Sequence, residues 1–209
     1  MNARLQSDIP RYIFGIGAMF ISLLLVFQRS LSFPLTVIAL YLIVICAIDT
    51  MYSKIPNYCN LVLLIVGLTY NVYLTGLIGF GYSLLGLLVG LSLLLVPYLL
   101  GGIGGGDVKA LAAMGSLLGP GVIFQVFLYV GLIGGILAIV HYLFQGKLIK
   151  KTGEAVRALF LFAGTKDAMF IRPKDIEKLR FPYATAIAFG FFFYVEYGEV
   201  ISLFKGLVT

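Results

Sequence analysis

Six apolar runs, at about 11–27, 32–48, 60–76, 82–100, 122–144 and 183–204, limit what this chain can fold into more than any other feature. Most approach the ~20 residues that a helix needs to cross the hydrocarbon of a bilayer. Lipid offers the backbone no hydrogen bonds, so a spanning segment satisfies its own amides as a helix or joins a closed barrel. Barrel strands alternate apolar and polar residues, and these runs are continuous, which excludes the barrel. A seventh stretch, at about 107–119, is shorter. The expectation is an all-α, polytopic integral membrane protein with about six to seven transmembrane helices, the short one included, in a single domain over residues 1–209. Composition agrees: 61% of the residues are hydrophobic and 11% charged, whereas soluble domains carry about a quarter charged residues.

Basic residues favour cytoplasmic loops and orient the bundle. The segment from about 145 to 181 holds nine of the fifteen lysines and arginines, and is expected inside. Counting spans back from it puts the 49–59 and 101–109 loops, with Lys54 and Lys109, on the same side. The first run follows Arg4 and Arg11 but meets no small-residue cleavage site, so it reads as an uncleaved span. Within the basic loop, Ala155, Val156, Leu159, Phe160 and Phe162 offer a surface that can lie along the headgroups. The net charge of +6 is juxtamembrane and has no nucleic-acid-binding fold around it, so lipid is its expected partner. Cys46 and Cys59 form neither a CxxC pair nor a disulfide framework, and are expected as free thiols.

An ionisable residue within a span costs about 2.5–3.5 kcal/mol at the helix centre on insertion scales, which makes it a functional candidate by default. Two acids sit at the inner ends of well-defined runs. Asp49 closes the second, in LIVICAIDTMYSKIPN; Asp107 follows the glycines of GGIGGGDVKALAAMG. Each has a plain structural reading, Asp107 as a helix N-cap and Asp49 as a solvated helix end. Placed together, they would share one proton, because each charge opposes the other's ionisation. The ionised partner can then take a proton from water while the protonated one hydrogen-bonds the carbonyl under attack, which is aspartic protease chemistry. Gly104 and Gly106, without side chains, let a substrate backbone or the second helix approach Asp107 closely. Lys109 either biases the pair's protonation or snorkels to the headgroups. His141 stands alone near an inner helix end and reads as an interfacial histidine. No zinc-ligand cluster, phosphate-binding loop or nucleophile elbow is present, and no cofactor is implied.

Gly104-Gly105-Gly106-Asp107, continuing VKALAAMGSLLG, resembles the second aspartate motif of the type IV prepilin peptidases, membrane aspartic proteases of the GxGD class. Asp49, followed after five residues by Ile55-Pro56-Asn57, is similar to the first. FPYATAIAFG resembles the family's last helix, with Ala184 where glycine is usual. The resemblance covers about residues 32–204. It implies a catalytic pair of Asp49 and Asp107, supported by Gly104, Gly106, Lys109, Pro56 and Asn57. It also implies removal of a basic leader from prepilin-like precursors at the cytoplasmic boundary of the plasma membrane. The paired CxxC motifs of the long bacterial members are missing, so the chain looks more like the compact peptidases of tight-adherence pili or archaeal flagellins. Presenilin-like members carry a Tyr-Asp pair and a Pro-Ala-Leu motif; here Ile48 precedes Asp49 and no such motif follows. The reading from another class is a small transporter relaying protons through paired carboxylates, which calls for inverted repeats and acids near the midplane. A noncatalytic pilus-assembly scaffold would tolerate loss of both aspartates.

Overall fold

The computed structural model describes residues 3–28, 31–99, 103–144 and 183–198. Seven helices lie among them: α1 (Ala3–Gln28), α2 (Phe33–Tyr52), α3 (Asn57–Thr75), α4 (Leu77–Leu99), α5 (Gly105–Leu118), α6 (Pro120–Phe144) and α7 (Tyr183–Tyr197). The all-helical expectation holds, and no strand occurs among the described residues. Four helices are long and apolar enough to cross a membrane: α2, α3, α4 and the Pro120–Val140 part of α6. The basic segment at 145–181, and with it the expected headgroup-lying surface, falls outside the described residues.

Local chemistry sets the breaks between helices. Ser32 caps α2, with a proline in its first turn, where the missing amide proton costs nothing. The helix ends at Ser53, whose left-handed backbone (φ 53°) returns its amide to the Asp49 carbonyl at 2.8 Å. Pro56, extended, then caps α3. Between α5 and α6, Gly119 takes φ 81°, a conformation that disfavours a side chain, and Pro120 opens the next helix.

α5 occupies the centre. Its 14 residues span about 21 Å at 1.5 Å each, too short to cross ~30 Å of hydrocarbon. All of Val108 and Ala110–Leu118 are buried, as befits a helix apolar on every face. Neighbours reach it through small residues. A Cβ on Gly86 of α4 would collide with the Gly115 carbonyl of α5, and one on Gly115 with the Gly86 carbonyl. One turn on, a Cβ on Gly90 would lie 2.6 Å from the Leu111 carbonyl. Gly86 and Gly90 are spaced as the small-xxx-small pattern that lets membrane helices touch backbone to backbone.

A buried polar knot joins the far ends of α3, α4 and α5. The Asn71 amide donates to the Ser83 hydroxyl (3.0 Å) and to the carbonyls of Gly67 (3.2 Å), Ser116 (3.0 Å) and Leu117 (3.3 Å). Ser83 in turn donates to the Ser116 carbonyl at 2.5 Å. In an apolar medium such groups have few other partners, so the knot holds the three helices in one register. With that end tied, the opposite ends of α3 and α5 are held relative to each other.

Candidate active site

Asp49 lies in the last turn of α2, where the chain turns back through Ser53, Ile55 and Pro56. It is buried, at 9% exposure, so the solvated-helix-end reading is corrected; α1 and α7 both pack against the helix that carries it. Gly15 of α1 meets Thr50 so closely that a Cβ there would strike its hydroxyl. On α7's side, the Cys46 thiol faces the Ala184 carbonyl at 3.5 Å. Cys46 and Cys59 are both free thiols, as expected.

Asp107 stands in the first turn of α5, partly buried. The N-cap expectation is also corrected. Gly104, with extended backbone, is the N-cap, and Asp107 is the third helical residue. From there its carboxylate folds back onto the backbone amides of Gly104 and of Asp107 itself, the reach that an acid in this position makes in a capping box. Gly104 permits it, since a Cβ there would lie 2.9 Å from Asp107 Oδ2. Gly106 packs under the α2–α3 connection; a Cβ on it would come within 3.1 Å of the Ile55 Cβ. Of the two occupants that the sequence allowed for this space, a substrate backbone or the second helix, Ile55 in the connection that follows α2 takes it on that side.

The two acids are close enough to interact. Burial first, and the negative charge of Asp49 second, push the Asp107 carboxyl from its ordinary 3.8 up to about 7, against the opposing pull of the two backbone amides. Asp107 also acts electrostatically on Tyr41 of α2 and Tyr183 of α7. The tertiary fold therefore gathers the ends of α2, α5 and α7 around one carboxyl pair, with α3 alongside.

Lys109, exposed, donates its ammonium to Asn57 Oδ1 at 3.1 Å, which ties the start of α5 to the start of α3 and gives two of the expected supporting residues a common contact. Pro56, as the α3 N-cap, positions that asparagine. A solvent-facing hydrogen bond of this kind contributes about 1 kcal/mol. Lys109→Ala is expected to slow peptide cleavage about fivefold without abolishing it, measured as initial rates on a precursor in detergent. His141 lies near the end of α6, beyond the residues whose side chains are described.

Three residues at this site were not singled out as site members from sequence: Tyr41, Asn60 and Tyr183. Tyr41, Ile45 and Asp49 follow one another at four-residue spacing on one face of α2, and Asn60 falls one turn beyond Asn57. Those spacings were legible; what they faced was not. Tyr183 lies in the stretch that resembled the family's last helix, which carried no role for it.

Residues 36–139 match the family model of the type IV leader peptidase family. The chain belongs to that family. The match takes in both aspartates and all of α5, and stops short of α7. This leader peptidase family member is accordingly a membrane peptidase, a hydrolase. No curated protein and no solved structure gives a significant match to the chain. Among the described residues no group of histidine, cysteine, aspartate and glutamate is arranged to hold a metal ion.

Proposed function

We propose that this leader peptidase is an aspartic endopeptidase that removes the basic leader from prepilin-like precursors at the cytoplasmic boundary of the cell membrane, with Asp49 and Asp107 as the catalytic pair. One observation carries the reading: two carboxyls, 58 positions apart in sequence, act on each other at the end of a buried helix. With a single proton between them, the ionised member removes a proton from water. That water attacks the scissile carbonyl while the protonated member donates to its oxygen. Collapse of the tetrahedral intermediate breaks the C–N bond, and a proton passes to the leaving amine. The short α5 suits a substrate whose cleavage site lies next to a hydrophobic segment, because it brings Asp107 to the edge of the bundle rather than to its middle.

The pH dependence follows from the direction of the Asp107 shift. A carboxyl raised to about 7 keeps its proton below that pH and loses it above. Cleavage that needs the protonated partner is expected to decline as pH rises through about 7, read from kcat/KM between pH 5 and 9, which reports the free enzyme's groups. A kcat/KM flat across that range would count against the shared proton. The direct test of substrate is co-expression with candidate prepilins, scored on a gel for leader removal. Intact precursor alongside every candidate, from a protein shown to be inserted, would reject the assignment.

A further inference from the structure

The buried amide of Asn60 has no place in the chemistry above, yet it is one of the few polar side chains that the fold encloses, at 5% exposure. Burying an amide without partners costs roughly 1–3 kcal/mol on mutational scales, so its contacts define its job. Its Nδ2 donates to the Gly106 carbonyl at 3.3 Å, and its Oδ1 accepts the Tyr41 hydroxyl at 2.6 Å. Only one orientation of the amide satisfies both. A carbonyl can only accept, so the nitrogen must face Gly106, and the oxygen is left for the phenol. Tyr41 is itself buried on α2, two turns before Asp49. The chain of contacts therefore runs from the helix that bears Asp49, through α3, to the residue immediately before Asp107.

We propose that Asn60 is the positioning residue of this site: held by the Tyr41 hydroxyl, its amide pins the Gly106 carbonyl and so fixes Asp107 opposite Asp49. The inference rests on the proposed aspartic mechanism for its kinetic consequence, but its geometric content stands apart from any substrate. Three consecutive glycines, Gly104 to Gly106, lead into Asp107, and glycine gives the backbone more freedom than any other residue. Ile55 restrains the turn from one side by contact alone. The Asn60 bond adds direction, and it does so at the last residue before the acid.

Two variants separate the contacts. Asn60→Leu removes both hydrogen bonds at similar volume; Tyr41→Phe keeps the asparagine and the ring and removes only the bond that orients the amide. Each full-length variant is purified in detergent and assayed on a cleaved precursor. Misplacing a catalytic group by about 1 Å can cost on the order of 100-fold. Asn60→Leu is expected to lower kcat by about 10- to 100-fold with KM unchanged, and Tyr41→Phe to lower it less. The second readout needs no activity: the infrared carboxyl band of Asp107, assigned by its loss in Asp107→Asn and followed against pH. Asp107 is faced by Asp49 and Tyr41 from α2 and by Tyr183 from α7, while Lys109 on its own helix is bound to Asn57. A loosened turn lets the carboxyl hydrate and draw away from Asp49, so its midpoint is expected to move from about 7 toward 3.8. Wild-type kcat and an unmoved midpoint in Asn60→Leu would overturn the proposal. A fall in kcat with an unmoved midpoint would also overturn it, since Asn60 would then act elsewhere. If the wild type cleaves no precursor but the midpoint moves, the peptidase reading of the pair fails and the positioning role stands.

Discussion

Replacing either Asp49 or Asp107 by asparagine is expected to suppress precursor cleavage by at least about 10²–10⁴-fold, the usual contribution of a positioned acid or base. Asparagine matches aspartate in shape and keeps an acceptor oxygen, so the capping contact of Asp107 with the Gly104 amide can persist. What it cannot do is exchange a proton near neutral pH. The two single variants and the double variant are expected to be equally inactive, because residues that act as one unit do not contribute additively. Stability provides the control. The folded state raises the Asp107 pKa from 3.8 to about 7, so the carboxyl opposes folding in full above pH 7, progressively less as pH falls between those two values, and not at all below 3.8. Asp107→Asn is therefore expected to unfold at a higher temperature than wild type at pH 8, with the difference narrower at pH 5. Loss of cleavage together with retained or raised stability would assign the defect to chemistry. Full processing by either single variant would remove the pair from the mechanism.

The second large effect is structural. Gly86→Val or Gly115→Val is expected to prevent accumulation of folded protein, because each new side chain would meet the backbone carbonyl of the facing helix. A flexible side chain can swing aside, but a helix backbone can do so only by separating α4 from α5. Overpacking ordinarily costs about 1–3 kcal/mol, and prying apart the central helix removes the Asn71 contacts too. Gly121→Ala, Gly131→Ala and Gly135→Ala on α6 are the matched controls, since a Cβ at these positions meets nothing within 4 Å. Alanine should be neutral there, or stabilise by up to roughly 1 kcal/mol through its helix preference. Yield and melting temperature in detergent separate the groups; equal behaviour of Gly86→Val and Gly135→Ala would show that the close α4–α5 crossing does not bear on folding.

Membrane helices, their approximate limits and the two candidate acids were all legible in the linear order of residues. The reason is that lipid acts on each segment by itself. A spanning helix satisfies its own backbone, so length and apolarity identify it without reference to neighbours. A carboxylate at the end of an apolar run is conspicuous for the same reason. Turn residues such as Pro56, Gly119 and Pro120 also act within a few positions of themselves, and the observed breaks fall beside them.

Burial, pairing and role were decided elsewhere in space. The sequence left open a solvated helix end for Asp49 and an N-cap for Asp107 beside the shared site; burial of the first and Gly104 at the cap of α5 closed both alternatives. Tyr41 and Asn60 are unremarkable letters in two apolar runs. Their meaning depends on α2, α3 and α5 being brought within hydrogen-bond reach. The approach of α3 to α5 is set by contacts distant in sequence, Asn71 with Ser116 and, through α4, Gly86 with Gly115, where absent side chains matter as much as present ones. Apolarity commits each helix to the bilayer but does not choose its partner, because lipid is as good an apolar neighbour as another helix. Close backbone packing and buried hydrogen bonds make that choice, and both exist only between segments.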